Sequence, residues 1–322
     1  MPLTRLLDRA LDRLVIPGYT AIGYRLRREF WLADPGRDCL AGKNVLVTGA
    51  NSGLGKATAA GVCSYGAVTH LLVRDVAKGE AARRDILRDQ PDAQLRVHRC
   101  DLSSFEAVRG FAEEFASAHS SVHALVHNAG LLPPRRTESP DGHELTLAVH
   151  VLGPYLLTGL LSTVLAGAQD SRVIFVSSGG MYTQRLRMDD PEYRRGEYRG
   201  ASAYARTKRM QVCLAGLLGE KLAARGIHVH SAHPGWANTP GVTESLPGFN
   251  TVLGPLLRTP RQGADTLVWL AGSDEAARST GLFWHDRLPR PEYYLPWQRD
   301  SASDRAALWE FCVGQTGIDI RD

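Results

Sequence analysis

Apolar residues in this chain change their spacing as the sequence proceeds. In LTRLLDRALDRLVI, near the start, Leu3, Leu6, Leu7, Ala10, Leu11 and Leu14 recur at helical intervals, and Arg5, Asp8, Arg9, Asp12 and Arg13 take the other side. This spacing predicts an amphipathic helix. Beyond the arm, β-rich runs appear as NVLVTG, AVTHLLV, LRVHRC, VHALVHN, RVIFVSS, IHVHSAH and GLFWHD. The segments between them, such as KATAAGVCSY and SSFEAVRGFAEEFASAH, are long enough for helices. The alternation predicts an α/β fold: a Rossmann-type doubly wound parallel sheet with helices on both faces. No Pro/Gly/Ser-rich linker interrupts it, so the expected organisation is an arm over residues 1–40 and one domain over 41–322.

The first crossover, NVLVTGANSGLGKAT, reads as buried strand, glycine turn and helix. Gly49 permits a tight turn, and Gly53 and Gly55 let the backbone approach a ligand closely. The N–H groups that open the next helix suit a pyrophosphate. A dinucleotide site then requires a ribose-reading residue at the end of the second strand, where the sequence has Val73, Arg74 and Asp75. A guanidinium pairs with the 2′-phosphate of NADP and an acid with the 2′-hydroxyl of NAD. Arg74 comes first and Asp75 suits a helix cap, so NADP(H) is the expected cofactor; the plainer reading of Arg74 is a solvated surface charge.

The bulk numbers narrow the function. An apolar fraction of 43%, a charged fraction of 22% and a net charge of +4 over 322 residues are ordinary for a soluble globular protein. No basic run interleaves with aromatics, which sets nucleic acid aside as a partner. Five scattered cysteines without Cys-x-x-Cys spacing point to reduced thiols and a cytoplasmic location. No apolar run predicts a membrane span, and no signal-peptide pattern opens the chain. The arm therefore docks on its own domain, docks on a twin subunit, or lies on a membrane surface.

Only five residues are lysine, Lys43, Lys56, Lys78, Lys208 and Lys221, yet one follows a tyrosine by four positions in SAYARTK. On a helix, Tyr204 and Lys208 lie one above the other and can face one pocket. Moving a phenol from about pH 10 to about pH 7 takes roughly 4 kcal/mol. A sheltered ammonium at about 4 to 5 Å supplies most of that, and a solvated one does not.

Together these segments resemble the short-chain dehydrogenase/reductase family over most of residues 42–290. TGANSGLG matches that family's glycine turn, making Gly49, Asn51, Ser52, Gly53, Leu54 and Gly55 the implied cofactor contacts. By the same resemblance, Asp101 and Leu102 of CDL meet the adenine, and Asn128, Ala129 and Gly130 of HNAG end a strand beside the cofactor. Pro234 and Gly235 form the Pro-Gly turn, with Thr239 near the nicotinamide. Ser178 of VSSGG would hold the substrate oxygen, Tyr204 would exchange its proton, and Lys208 would lower the tyrosine pKa and anchor the nicotinamide ribose. The long stretch between Ser178 and Tyr204 resembles the retinol-dehydrogenase-type branch.

One position departs from the pattern. The family's asparagine, which holds a water linking the lysine to solvent, is here His150 in LAVHVLGPYLL. Neutral imidazole offers a donor and an acceptor and could carry the relay; alternatively the relay is broken. His228, His230 and His233 read as strand packing and loop structure, since no cysteine or carboxylate nearby completes a metal site. TESLPGFNTVLGPLLRTP, rich in apolar residues, Gly and Pro, reads as a lid over a lipophilic carbonyl or alcohol. The helix bearing Tyr204 is a candidate homodimer face by family resemblance. The leading expectation is an NADP(H)-dependent oxidoreductase. The alternative is a weakly active NADPH-binding regulator; a sugar-nucleotide epimerase or dehydratase fits the glycine spacing less well.

Overall fold

The computed structural model describes residues 2–31, 33–238 and 253–320, with the side chains of 2–6 left aside. The arm forms helices α1 (Pro2–Arg13), α2 (Val15–Tyr19) and α3 (Ala21–Arg28). Then β1 (Asn44–Thr48), α4 (Gly53–Cys63), β2 (Val68–Val73), α5 (Val76–Asp89), β3 (Gln94–Arg99), α6 (Phe105–Ala118) and β4 (Ala124–His127) follow in strict alternation. A helix begins as α7 (Leu145–Leu147), widens to a π-turn at Ala148–Leu152 and continues as α8 (Gly153–Leu160), with α9 (Ser162–Ala166) after it. Next come β5 (Ser171–Val176), α10 (Gly200–Leu222), β6 (Ile227–His233), α11 (Pro260–Gly272), β7 (Phe283–His285), β8 (Leu288–Arg290) and α12 (Ala302–Thr316).

The sheet order is β3-β2-β1-β4-β5-β6-β7-β8, parallel except for β8. Residues of β2, β4 and β5 are buried throughout, because helices cover both faces and every side chain meets a hydrophobic layer. The strand period of two divides these layers. Val45 and Val47 join the core beneath α4 and α11, whereas Leu46 joins the one shared with α6, α8 and α10. The order reverses between β1 and β4, so the strand ends there flank a crevice, the usual ligand position in an open α/β sheet.

The arm docks on its own domain, and two acids of its polar face are bound there. Asp8 receives a bidentate Arg290, both contacts at 2.8 Å, and Asp12 accepts from the Tyr294 hydroxyl at 2.6 Å. Arg27, fully buried, joins Asp8 at 2.9 Å and Asp286 at 2.8 Å, and Arg258 also holds Asp286. Burial alone would raise the Asp286 carboxyl; the Arg258 and Arg27 guanidiniums outweigh it and hold it far below the usual range. Removing a partner from such a group leaves buried charge uncompensated. We therefore expect Asp286→Ala to lose about 3 to 5 kcal/mol of stability, read as a lower urea midpoint. A midpoint unchanged from wild type would contradict this.

Candidate active site

The glycine turn is packed too tightly for side chains. Gly49 has φ of +63° and Gly53 of +53°, the left-handed region that favours glycine. A Cβ on Gly49 would come within 2.8 Å of the Ala129 Cα, and one on Gly55 would run into the Gly49 carbonyl and the Asn128 amide. Asn128 is itself built into the turn. Its Nδ2 donates to the Thr48 carbonyl at 2.9 Å, and the backbone N–H groups of Asn128 and Ala129 both donate to Thr48 Oγ1 at 3.0 Å. This side chain thus locks the ends of β1 and β4 together. Ser52 stands extended at the start of α4 without capping it, Asn51 is half-buried beside it, and Leu54 packs toward Gly263 of α11. A close-approach glycine turn feeding an eleven-residue helix fits a pyrophosphate.

Further along the crevice, Arg74 is exposed and forms no ion pair among the described residues, while Asp75 caps α5 by accepting from the Lys78 N–H at 3.2 Å. Asp101 Oδ1 accepts from both the backbone and the hydroxyl of Ser103, at 3.0 and 2.7 Å, and Leu102 is buried beneath. Pro234 and Gly235 are buried, and Gly235 at φ +76° leaves room only for the Arg258 guanidinium pressed against it. Thr239 and most of the expected lid lie outside the described residues. Among the described residues no cluster suits a metal ion. Instead, His228 and His230 donate to the carbonyls of Ser279 and Ala276.

Ser178 lies two residues beyond β5 and caps a 3-10 turn, its Oγ accepting from the Gly180 N–H at 3.1 Å. Its hydroxyl lies beside the Tyr204 phenol of α10, near enough to act on its acidity. Burial raises the Tyr204 phenol above its ordinary value, and the neighbouring Ser178 hydroxyl offsets this in part. Lys208, one turn on, places Nζ 5.3 Å from the Tyr204 ring centroid. Its ammonium is buried with neutral partners, donating to the Val176 carbonyl at 2.7 Å and to Gln211 Oε1 at 3.1 Å. Burial brings its pKa down to about 7. The chain's own groups thus hold a protonated phenol beside a weakly supported cation.

His150 lies on the π-turn, with its ring edge-on to Tyr204 at 5.5 Å and 85°. Nε2 accepts the Leu131 N–H at 3.0 Å, which puts the proton on Nδ1 for donation to Thr207 Oγ1 at 2.8 Å. Thr207 in turn donates to the Tyr204 carbonyl at 2.9 Å. Burial, then Lys208, keeps the ring neutral by lowering its pKa well below the usual value. Both ring nitrogens are thereby committed. The link to the lysine runs through the backbone: Gln211 Nε2 donates to the His150 carbonyl at 2.8 Å while Gln211 Oε1 takes Lys208. Gln211, fully buried, and Thr207 are site residues that sequence reasoning missed. The available signal was two polar side chains at i−1 and i+3 of a buried helical lysine.

Known proteins resemble this arrangement and the chain around it. The short chain dehydrogenase family model matches residues 43–248. Dehydrogenase/reductase SDR family member 12 of Bos taurus is 41% identical over 288 residues, 88% of this chain and 89% of that protein. Retinol dehydrogenase 12 of Homo sapiens is 33% identical over 249 residues, 77% of this chain and 78% of that one. A short chain dehydrogenase of Escherichia coli CFT073, solved with NADPH, shares the fold at a TM-score of 0.64 and 24% identity, covering 79% of this chain and 100% of that one.

Proposed function

Because this chain belongs to the short-chain dehydrogenase/reductase family and is an oxidoreductase, we propose that it interconverts a lipophilic carbonyl compound and its alcohol with NADP(H), using Tyr204 as acid and base. The observation that carries this reading is the meeting of Ser178, Tyr204 and Lys208 beside the glycine turn at the strand ends. Bound NADP(H) would supply the hydride in reduction and accept it in oxidation. Tyr204 gives its proton to the carbonyl oxygen in reduction and takes it back in oxidation. Ser178 holds that oxygen, and the Lys208 charge favours the phenolate left behind. Gly49, Gly53, Gly55 and Arg74 supply the cofactor cradle, with Asp101 at its adenine end. A panel of aldehydes, ketones and alcohols followed by NADPH absorbance tests the reading; a lipophilic carbonyl turned over by wild type supports it.

Exposed Arg74, which forms no ion pair among the described residues, is available to a 2′-phosphate. A lost charge-assisted bond is worth about 1.5 to 3 kcal/mol. Arg74→Ala should therefore raise KM for NADPH by roughly 10- to 100-fold and leave NADH nearly unchanged. Equal effects on both would count against NADP(H) preference.

A second reading, a weakly active NADPH-binding regulator, is favoured by the commitment of both His150 ring nitrogens within the fold. The arm also supports contact with an anionic membrane surface from the cytoplasm. Leu7, Leu14, Val15, Ile16, Ile22, Leu26 and Phe30 are exposed among the outward arginines Arg9, Arg13, Arg25 and Arg28, although no described helix is long and apolar enough to cross a membrane. Arg13 lies 4.6 Å over the Tyr294 ring, joining the arm to the loop that exposes Trp297. The protein should float with phosphatidylserine vesicles, and Ile16→Glu with Ile22→Glu should release it. Wild type remaining at the bottom of the gradient would refute the contact.

A further inference from the structure

Ser178 stands at the tip of a short turn, Gly179–Thr183, and the first residue of that turn is held from the side by a histidine. The Gly179 N–H donates to Nδ1 of His233 at 3.0 Å. Accepting there places the ring proton on Nε2 of a neutral, buried imidazole. Among the described residues Nε2 has no hydrogen-bonding partner, and the ring instead meets Tyr19 edge to face, with centroids 4.4 Å apart at 75°. Its other face stacks on His285 at 4.7 Å, and His285 Nδ1 donates to the His233 carbonyl at 3.0 Å.

Tyr19 is the last residue of α2, so the arm itself reaches this spot. Its ring crowds Gly179 so closely that a Cβ there would lie 2.5 Å from Tyr19 Cε2. Its carbonyl accepts from the Trp236 N–H at 2.7 Å and from Arg258 Nε at 3.1 Å. One arm residue therefore touches the serine turn, the histidine that aims it, and both chain segments leading away from β6 and into α11. Packing alone would be met by any apolar ring at position 233; an acceptor facing the Gly179 N–H would not be needed.

We propose that His233 and Tyr19 are positioning residues for Ser178, so that the N-terminal arm completes the catalytic centre. This rests on the reading of Ser178 and Tyr204 given above. In the full chain, His233→Leu removes the acceptor and His233→Asn keeps one near Nδ1. Tyr19→Ala removes the ring and Tyr19→Phe keeps it. Misplacing a reacting group by a fraction of an ångström costs rate rather than cofactor affinity. His233→Leu and Tyr19→Ala should lower kcat about tenfold or more, with the NADPH Kd moving less than about twofold, and the two conservative variants should recover most of the loss. Equal kcat in His233→Leu and His233→Asn would overturn the proposal, as would kcat and NADPH affinity falling together in Tyr19→Ala. If wild type turns over no substrate, the functional reading fails by itself, and hydrogen exchange over residues 177–183 still decides the positioning role. Faster exchange in His233→Leu than in His233→Asn supports it, and identical exchange overturns it.

Discussion

Tyr204→Phe is expected to lower kcat by about a thousandfold, within the range that general acid–base catalysis contributes, while NADPH affinity changes by less than about threefold. The substitution removes one oxygen and keeps the ring, so the His150 edge contact at 5.5 Å and the Lys208 approach at 5.3 Å survive. What disappears is the proton that the carbonyl oxygen needs, together with the hydroxyl that faces Ser178. Burial raises the phenol, so it is protonated at neutral pH and ready to act as an acid in reduction. The cation that would favour the phenolate is Lys208, whose own pKa burial brings to about 7. Lysine below that value is charged, so reductive kcat should fall as pH rises through it. Steady-state kinetics with isothermal titration of NADPH separates the two effects. Retained turnover in the phenylalanine variant would remove Tyr204 from the mechanism.

Acid should unfold this protein well above the carboxylate range. His70, His127 and His285 are pushed down to about 3 and His230 to about 4, in each case chiefly by burial. His150 and His233 are also held well below the ordinary value. A histidine whose folded pKa is depressed stays neutral in the native state while the unfolded chain takes up a proton below about pH 6.5. Stability is therefore whole above that value and falls as pH drops, by about 1.4 kcal/mol per unit for each group. Six such groups against a total of about 5 to 15 kcal/mol place the transition between about pH 6 and 4.5. Circular dichroism during an acid titration reads it directly. A native spectrum persisting at about pH 4 would show that these rings take protons in the folded state.

Much of the parallel sheet was legible because inner strands such as β2 and β5 are buried on both faces and appear as largely apolar runs bounded by a turn or a helix. β8 was not. It is three residues with a central proline, and the two-residue turn before it places Asp286 and Arg287 at φ of +52° and +58°. Hairpins of that type usually announce themselves with glycine or asparagine. Here a carboxylate buried between Arg27 and Arg258, both far away in sequence, occupies the turn. The Tyr204–Lys208 pair was legible because helical spacing is local. Gln211, His233 and Tyr19 were not, since their roles depend on which strand end and which arm turn meet in space. His150 shows the same limit: its spacing marked the position, but only the fold shows its nitrogens used at Leu131 and Thr207 and its carbonyl at Gln211.

Hydride transfer to carbon and proton transfer from Tyr204 should occur together at this site. The most direct measurement is mass spectrometry of products formed with NADPH deuterated at the transferring position of its nicotinamide. One deuterium is expected on the former carbonyl carbon with wild type and none with Tyr204→Phe over the same interval. NADPH that binds tightly while no carbonyl in a broad lipophilic panel acquires deuterium would contradict it.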